Sequence, residues 1–245
     1  MKKFLIFCAV ICLIFLTITE AYDSVNADNN TGTVTDIDGN VYHTVKIGNQ
    51  VWTVVNLRTT KYNDGSPIPL VTEKDAWIAL STPGYCYYNN TTDADRIKKN
   101  GALYNWYAVD TKKLAPVGWH VPTDAEWNTL QNYLIINGYN WDGTTTDNKI
   151  AKSMAAKTDW KTDTDPGTIG NDLSENNKSG FSALPAGFRS FRSGNFVGNF
   201  GRWWSATENG LFTAYCCSLN YDLVYFFMDH YYKSCGYSVR IIKDN

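Results

Sequence analysis

The stretch from Thr33 to Arg58, TVTDIDGNVYHTVKIGNQVWTVVNLR, constrains the fold more than any other. Asp38-Gly39 and Gly48-Asn49 each lie between alternating, β-branched runs, which is the pattern of tight turns joining antiparallel strands. The folded part of the chain therefore opens on a β-hairpin. EKDAWIAL, Glu73 to Leu80, reads as a short helix. A longer helix starts after Pro122, where Thr123 and Glu126 form an S/T-x-x-E capping box. Trp127, Leu130 and Leu134 then fall three and four apart on one face, Gly138 ends the helix, and that face should pack on a sheet. DNKIAKSMAAKTDW predicts a second helix from about Asn148 to Lys157. KTDTDPGTIGNDLSENNKSG, which follows, is a polar, turn-rich loop of the length that is usually functional or mobile. Beyond Phe181, RWWSAT, AYCCSLN, DLVYFFMDH and GYSVRIIK are four strand candidates. The order of hairpin, helices, long loop and antiparallel meander predicts an α+β fold.

Lys2 and Lys3 precede an apolar run from Phe4 to Ile18 and then Thr19-Glu20-Ala21, the layout of a secretory signal peptide. The run falls short of the ~20 apolar residues of a membrane span. A lipid anchor would need a cysteine after a small residue, yet Cys8 follows Phe7 and Cys12 follows Ile11. The expected layout is a signal peptide over residues 1–21, a polar tether over 22–32, and one domain over 33–245 of an exported or surface protein. With 44% hydrophobic and 15% aromatic residues the chain has ample material for a core. The formal charge of −2 becomes −3 once the two Lys and one Glu of residues 1–21 are removed, so no basic stripe invites nucleic acid.

Catalytic and metal motifs are missing from the sequence. His43, His120 and His230 are scattered, and none sits with Cys or carboxylate at metal-ligand spacing. No G-x-S-x-G elbow or phosphate loop occurs. Asp163, Asp165 and Asp172 supply hard oxygens without EF-hand spacing and read as an acidic surface loop. The expectation is a protein that is not an enzyme and takes no metal or cofactor. Four cysteines lie beyond residue 21: Cys86, Cys216, Cys217 and Cys235. An even number in an exported chain points to disulfides. Adjacent residues of a strand face opposite ways, however, so Cys216 and Cys217 cannot readily bond each other, and at most one disulfide is expected.

Several blocks carry a resemblance: TVTDIDGNVYHTVKIGNQVW, NLRTTKYNDGSPIP, GYCYYNN, GALYNWYAV, APVGWHVPTDAEW, GFSALPAGFR, WWSATE and GYSVRIIKDN. In this order they resemble the Fibrobacter succinogenes major paralogous domain, an exported, often surface-attached module of Bacteroidetes and their relatives, over about residues 33 to 245. The resemblance implies a C-type-lectin-like fold, shared with formylglycine-generating enzymes, whose helix-opening block is similar to Pro122 to Trp127. It also implies a packed, hydrogen-bonded His120. Members of the family often carry cysteines where Ala115 and Ile241 stand here, and losing both fits the loss of one disulfide as a unit. The reactive cysteine pair of the formylglycine-generating enzymes has a local context that Cys216, Cys217 and Cys235 do not match. The tripeptides of calcium-dependent sugar-binding lectins do not occur either.

Proteins of this fold include targets of retroelements that rewrite adenines in Asn codons of a C-terminal segment. Such rewriting yields Phe, Tyr, Cys, Ser, Leu, Asp, His, Val and Gly among others, and never Met, Trp, Gln, Lys or Glu. Between Asn209 and Tyr232 only Met228 belongs to the excluded set. Both parities of the strand-like runs carry large aromatics, which sends some rings to solvent if one sheet face is wet. Exposed Tyr and Phe among Ser, Asn and Asp are the chemistry of antibody binding loops. The candidate ligand-binding residues are Phe191, Arg192, Phe200, Leu211, Phe212, Cys216, Tyr221, Asp222, Tyr225, Phe226, Phe227, Asp229, His230, Tyr231, Tyr232 and Cys235. Trp203, Trp204 and Lys233 would frame them. The expected partner is a protein or glycan at the cell exterior, with the membrane involved only through surface attachment. Two readings stay open: a diversified binding face, or an ordinary surface adhesion or glycan-binding module whose tail is aromatic core.

Overall fold

The structure is a computed structural model that describes residues 30–190 and 196–244. The expected signal peptide, most of the tether, and Phe191 and Arg192 lie outside the described residues. β1 (Asn30–Thr35), β2 (Val41–Ile47) and β3 (Gln50–Thr53) pair antiparallel in the predicted hairpin pattern. Asn30, assigned above to the tether, already stands opposite Val45 in the ladder. Asp36 builds the first turn: its carboxylate accepts from the N–H groups of Asp38 at 3.0 Å and Asn40 at 2.9 Å and from the Tyr42 hydroxyl at 2.5 Å. Gly39 in that turn has φ 83°, a conformation that costs any residue with a Cβ steric strain.

α1 (Lys74–Ile78) forms inside the predicted EKDAWIAL segment. After β4 (Tyr85–Cys86) come two helices that the apolar periodicity did not reveal, α2 (Ala94–Asn100) and, beyond β5 (Leu103–Tyr104), α3 (Trp106–Asp110). Side chains start both: Asp93 accepts from Asp95 N–H at 3.0 Å, and Asn105 Oδ1 from Ala108 N–H at 3.1 Å. β6 (Trp119–His120) then leads into α4 (Asp124–Ile136), which carries the predicted capping box. Trp127, Leu130 and Leu134 are fully buried on its inner face, and Trp127 lies 4.7 Å from Trp52 of β3, centroid to centroid. The helix expected over 148–157 shrinks to the single turn α5 (Ala151–Met154). Ala155 leaves it to bridge Ala183, and the Ala156 N–H donates to the Ala183 carbonyl at 2.8 Å, so tertiary pairing overrides local helix propensity.

The long loop after α5 is fastened down. Lys152, buried on α5, donates to the carbonyls of Asn171 and Asp172; Asn176 Nδ2 reaches the Ala156 carbonyl at 3.0 Å. The chain then runs into β7 (Phe200–Glu208), β8 (Thr213–Asn220) and β9 (Phe227–Tyr232), an antiparallel meander in that spatial order. Gly201 of β7 leaves room for the 184–187 segment: a Cβ there would stand 2.8 Å from the Leu184 carbonyl and 2.3 Å from the Trp203 ring.

GYSVRIIK does not become a fourth meander strand. Tyr237 bridges Tyr104, Ser238 bridges Trp203, and β10 (Ile242–Lys243) inserts between β3 and β6 to complete a five-stranded sheet in the order β1-β2-β3-β10-β6. Arg240 pins the crossing. It is fully buried, and its guanidinium donates to Asn56 Oδ1 at 2.9 Å and to the carbonyls of Thr53 at 2.5 Å, Phe181 at 3.1 Å and Ser182 at 3.0 Å. The fold is α+β, with β7 and β8 separating two main apolar clusters.

His120 joins three of these elements. Its Nε2 donates to Glu126 Oε1 on α4 at 2.7 Å and its Nδ1 to Asp244, next to β10, at 2.6 Å. Burial presses the ring toward neutrality, but the two carboxylates outweigh it and hold the pKa above its ordinary value. Glu126, which also accepts from the Thr123 N–H, has its carboxyl lowered: burial opposes ionisation, and the Thr123 and His120 hydrogen bonds prevail. A raised histidine pKa gives stability fully present below the unfolded value of about 6.5 and lost as pH rises through the folded value. The side chain is 39% exposed, so solvent screening limits the expected effect to about 0.5 kcal/mol. Between pH 6 and pH 8 the wild-type melting temperature should fall by ~1–2 °C more than that of His120→Asn, measured by circular dichroism.

Candidate ligand-binding face

The adjacent cysteines are explained by β8 lying between the two clusters. Ala214 and Cys216 pack on one side with Trp204 and Tyr237, whereas Cys217 and Leu219 pack on the other with Trp203, Phe181 and Trp127. Alternation thus sends the two thiols into different cores. All four described cysteines are buried and free. Burial pushes the Cys86 thiol up to about 11 and raises those of Cys216, Cys217 and Cys235. Native protein at pH 8 should react with a thiol reagent such as dithionitrobenzoate by less than ~0.2 equivalents within minutes, and with all four thiols once unfolded in guanidinium.

Three candidate residues are therefore corrected. Cys216 (1% exposed), Phe226 (2%) and Cys235 (4%) are core and present nothing to a ligand. Phe226 belongs to the cluster around Trp127, with their ring centroids 5.9 Å apart. The inference that rings on both parities must reach solvent fails for β8, because a strand sandwiched by two cores shows no wet face.

It holds for β9, the outer strand of the meander. Phe227, Asp229, His230 and Tyr232 are exposed there, and Tyr231 is half-buried. Phe227, Asp229 and Tyr231 share one face with Phe200 of β7, by the register that sets Phe227 opposite Ser218 and Phe200 opposite Asn220. His230 and Tyr232 turn to the other face, where the His230 ring meets Tyr215 edge to face at 6.3 Å.

The two connections of the meander carry the remaining candidates. The β8–β9 loop is held from both sides: Tyr221 N–H donates to the Asn199 carbonyl at 3.0 Å, and Asn148 Oδ1 accepts from Phe226 N–H at 3.2 Å. Lys161 reaches the Tyr221 hydroxyl at 3.0 Å and lies over its ring at 4.5 Å. This leaves Asp222 and Tyr225 at the surface, with Tyr225 against Phe227 at 6.0 Å. At the opposite end, the β7–β8 hairpin tip projects Leu211, 76% exposed, and Phe212, 69% exposed. Buried Lys233 anchors the tip from beneath by donating to the Leu211 carbonyl at 3.0 Å and pairing with Glu208. Its ammonium also sits 4.8 Å from the Trp106 ring centre. Trp203 and Trp204 are fully buried scaffold.

The exposed candidates form two clusters rather than one patch. Asp222, Tyr225 and Phe227, beside half-buried Tyr221, group at one end of β9; Leu211, Phe212 and Tyr232 group at the other, across a strand ~17 Å long. Sequence reasoning missed Arg202. It lies on β7 between Phe200 and Trp204, with its guanidinium 4.2 Å from the Phe188 ring centre and 4.6 Å from that of Tyr231. The signal was available: Arg202 shares parity with Phe200 two residues away. Among the described residues no group of three or more His, Cys, Asp or Glu could hold a metal ion.

This scaffold places the chain in a class of α+β domains that carry a C-terminal antiparallel meander. The protein belongs to the Fibrobacter succinogenes major domain family, which it matches over residues 45–243. That range runs from the last residues of β2 through β3, all of the described helices and the whole meander. No curated protein and no solved structure matches the chain.

Proposed function

We propose that this protein is an exported, surface-located binding protein, not an enzyme, whose β9 strand and two meander connections form a variable ligand-binding face on a fixed scaffold. The observation that carries the reading is the interleaving of exposed and core residues within one segment. Leu211, Phe212, Asp222, Tyr225, Phe227, Asp229, His230 and Tyr232 are exposed, while Cys216, Cys217, Phe226 and Lys233 among them are core. Exposed aromatics beside Asp and His, rigidly backed, offer contact area at low entropic cost. The family is one of paralogous, surface-type domains, which supports an outward-facing role. The partner is a protein or glycan met outside the cell.

The test is to sequence the DNA downstream of the gene. The reading expects a near-copy of the codons for residues 190–240 beside a reverse transcriptase, with AAC or AAT where the gene encodes exposed residues such as Phe212, Tyr225 and Phe227. The copy should keep the gene's own codons at Trp203, Trp204 and Lys233. If no such copy exists, the diversified reading is wrong and the fixed adhesion or glycan-binding module takes its place. One feature favours that second reading: Trp141, 43% exposed, lies flat on Gly167, where a Cβ would come within 2.2 Å of the indole. It borders a cleft of about 530 Å³ that includes Asn140, Glu175 and Lys178, a stacking platform flanked by polar groups.

A further inference from the structure

We propose that the Phe200 end of the meander face takes an organic carboxylate bearing an adjacent N–H or O–H donor, held by Arg202 and Asn220. This rests on the binding-face reading and narrows it to a ligand class.

Arg202 is walled by aromatic rings, with Phe188 and Tyr231 over its guanidinium and Phe200 and Tyr237 at 5.5 and 5.6 Å. Its Nη1 donates to the Tyr237 hydroxyl at 3.1 Å. On the opposite edge, which Nε shares with Nη2, Nε is out of solvent and finds no acceptor among the described residues. None of the ion pairs among those residues includes Arg202. A buried guanidinium edge without an acceptor is costly, and native structures rarely leave one.

The other deeply placed guanidinium shows what the fold does when the role is structural. Arg240 meets four oxygens, three of them backbone carbonyls. Arg189, next to Phe188, spends Nη1 on the Val71 carbonyl at 2.9 Å and Nη2 on the Thr72 carbonyl at 2.7 Å. Arg202 departs from both, and it keeps part of its surface in solvent.

A second unmatched group stands beside it. Asn220 Oδ1 is buried without a donor. The register sets Arg202 opposite Ser218 and Phe200 opposite Asn220, so Arg202 and Asn220 are diagonal neighbours on one face. Such pairs lie about 7–8 Å apart. Once the side chains around it shift, as interface side chains commonly do on binding, a carboxylate seats side-on against Nε and Nη2 as a two-point contact, which Lys cannot reproduce. A donor two or three bonds from the carboxyl carbon, an amide N–H on the α-carbon or a hydroxyl on the next ring carbon, then falls within reach of Asn220 Oδ1, and the apolar remainder lies on Phe200, Phe227 and Tyr231. Asp229, on the same face between Phe227 and Tyr231, repels a second negative charge and so favours a monoanion.

The experiment titrates the chain from residue 22 onward with D-glucuronate and with N-acetylglycine, using methyl glucoside and N-acetylglycinamide as neutral counterparts, by calorimetry and amide chemical shifts. Saturable binding of either acid, at least tenfold stronger than its neutral counterpart, is the expected result. Glucuronate alone identifies an acidic glycan, and N-acetylglycine alone a peptide C-terminus. Arg202→Lys should weaken binding about tenfold. Should that variant fail to fold, Asn220→Asp, which sets a carboxylate beside the anion, should weaken it by at least as much with an unchanged melting temperature. Equal response to acid and neutral probes, no saturable binding of either acid, or unaltered affinity in Asn220→Asp overturns the inference. The downstream DNA decides the binding-face reading separately, so the carboxylate inference can fall while the face stands.

Discussion

Arg240→Ala should lower stability by about 4 kcal/mol and the melting temperature by roughly 8–16 °C. The side chain is fully buried, and truncating it strips hydrogen-bond donors from Asn56 and from the carbonyls of Thr53, Phe181 and Ser182 together. Each acceptor left dry costs about 1–3 kcal/mol, offset in part by no longer burying a cation. Burial pulls the guanidinium's pKa down to about 9, so it stays charged at neutral pH, held by oxygen dipoles without a carboxylate partner. Arg240→Lys should recover less than half of the loss, because an ammonium cannot reach acceptors spread over β3 and the 181–182 segment. Urea unfolding of the three proteins measures the effect. A loss below ~1 kcal/mol for Arg240→Ala would mean that the crossing of the C-terminal segment does not depend on this residue.

The second large effect separates two neighbours of the same type. Phe226→Ala should cost about 3–5 kcal/mol, since its ring packs against Trp127 and leaves a cavity behind. Phe227→Ala should cost less than ~1 kcal/mol, because Phe227 is an exposed residue on the outer strand, touching Tyr225. Urea midpoints at constant m-value decide this. Equal costs at the two positions would contradict the division of the segment into core and face.

Local chemistry made the hairpin and α4 legible, because Asp38-Gly39, Gly48-Asn49 and the Thr123–Glu126 capping box each encode their own geometry. α2 and α3 carried signals of the same kind in Asp93 and Asn105, yet they are too short for apolar periodicity to show. The fate of GYSVRIIK and of Ala155 was not legible. Each depends on which distant strand offers a partner, Trp52 and His120 in one case and Ala183 in the other. For the proposed face, residue types pointed to a segment that does carry exposed aromatics, but alternation cannot distinguish a strand wedged between two cores from an edge strand. Cys216 and Phe226 were therefore grouped with Tyr225 and Phe227. Arg202 escaped notice because a buried Nε without an acceptor shows only in the positions of its neighbours.

A replaceable face on a rigid scaffold should tolerate wholesale change of its side chains. Leu211, Phe212, Asp222, Tyr225, Phe227, Asp229, His230 and Tyr232 are randomised together to Phe, Tyr, Ser, Asp, His or Asn, and folded members are scored by cooperative thermal unfolding. The account predicts that most members unfold cooperatively with melting temperatures within ~5 °C of the parent, since surface substitutions usually stay within ±0.5 kcal/mol each. Widespread loss of cooperative unfolding would show that these side chains hold the meander together, and the face would have to be read as part of the core.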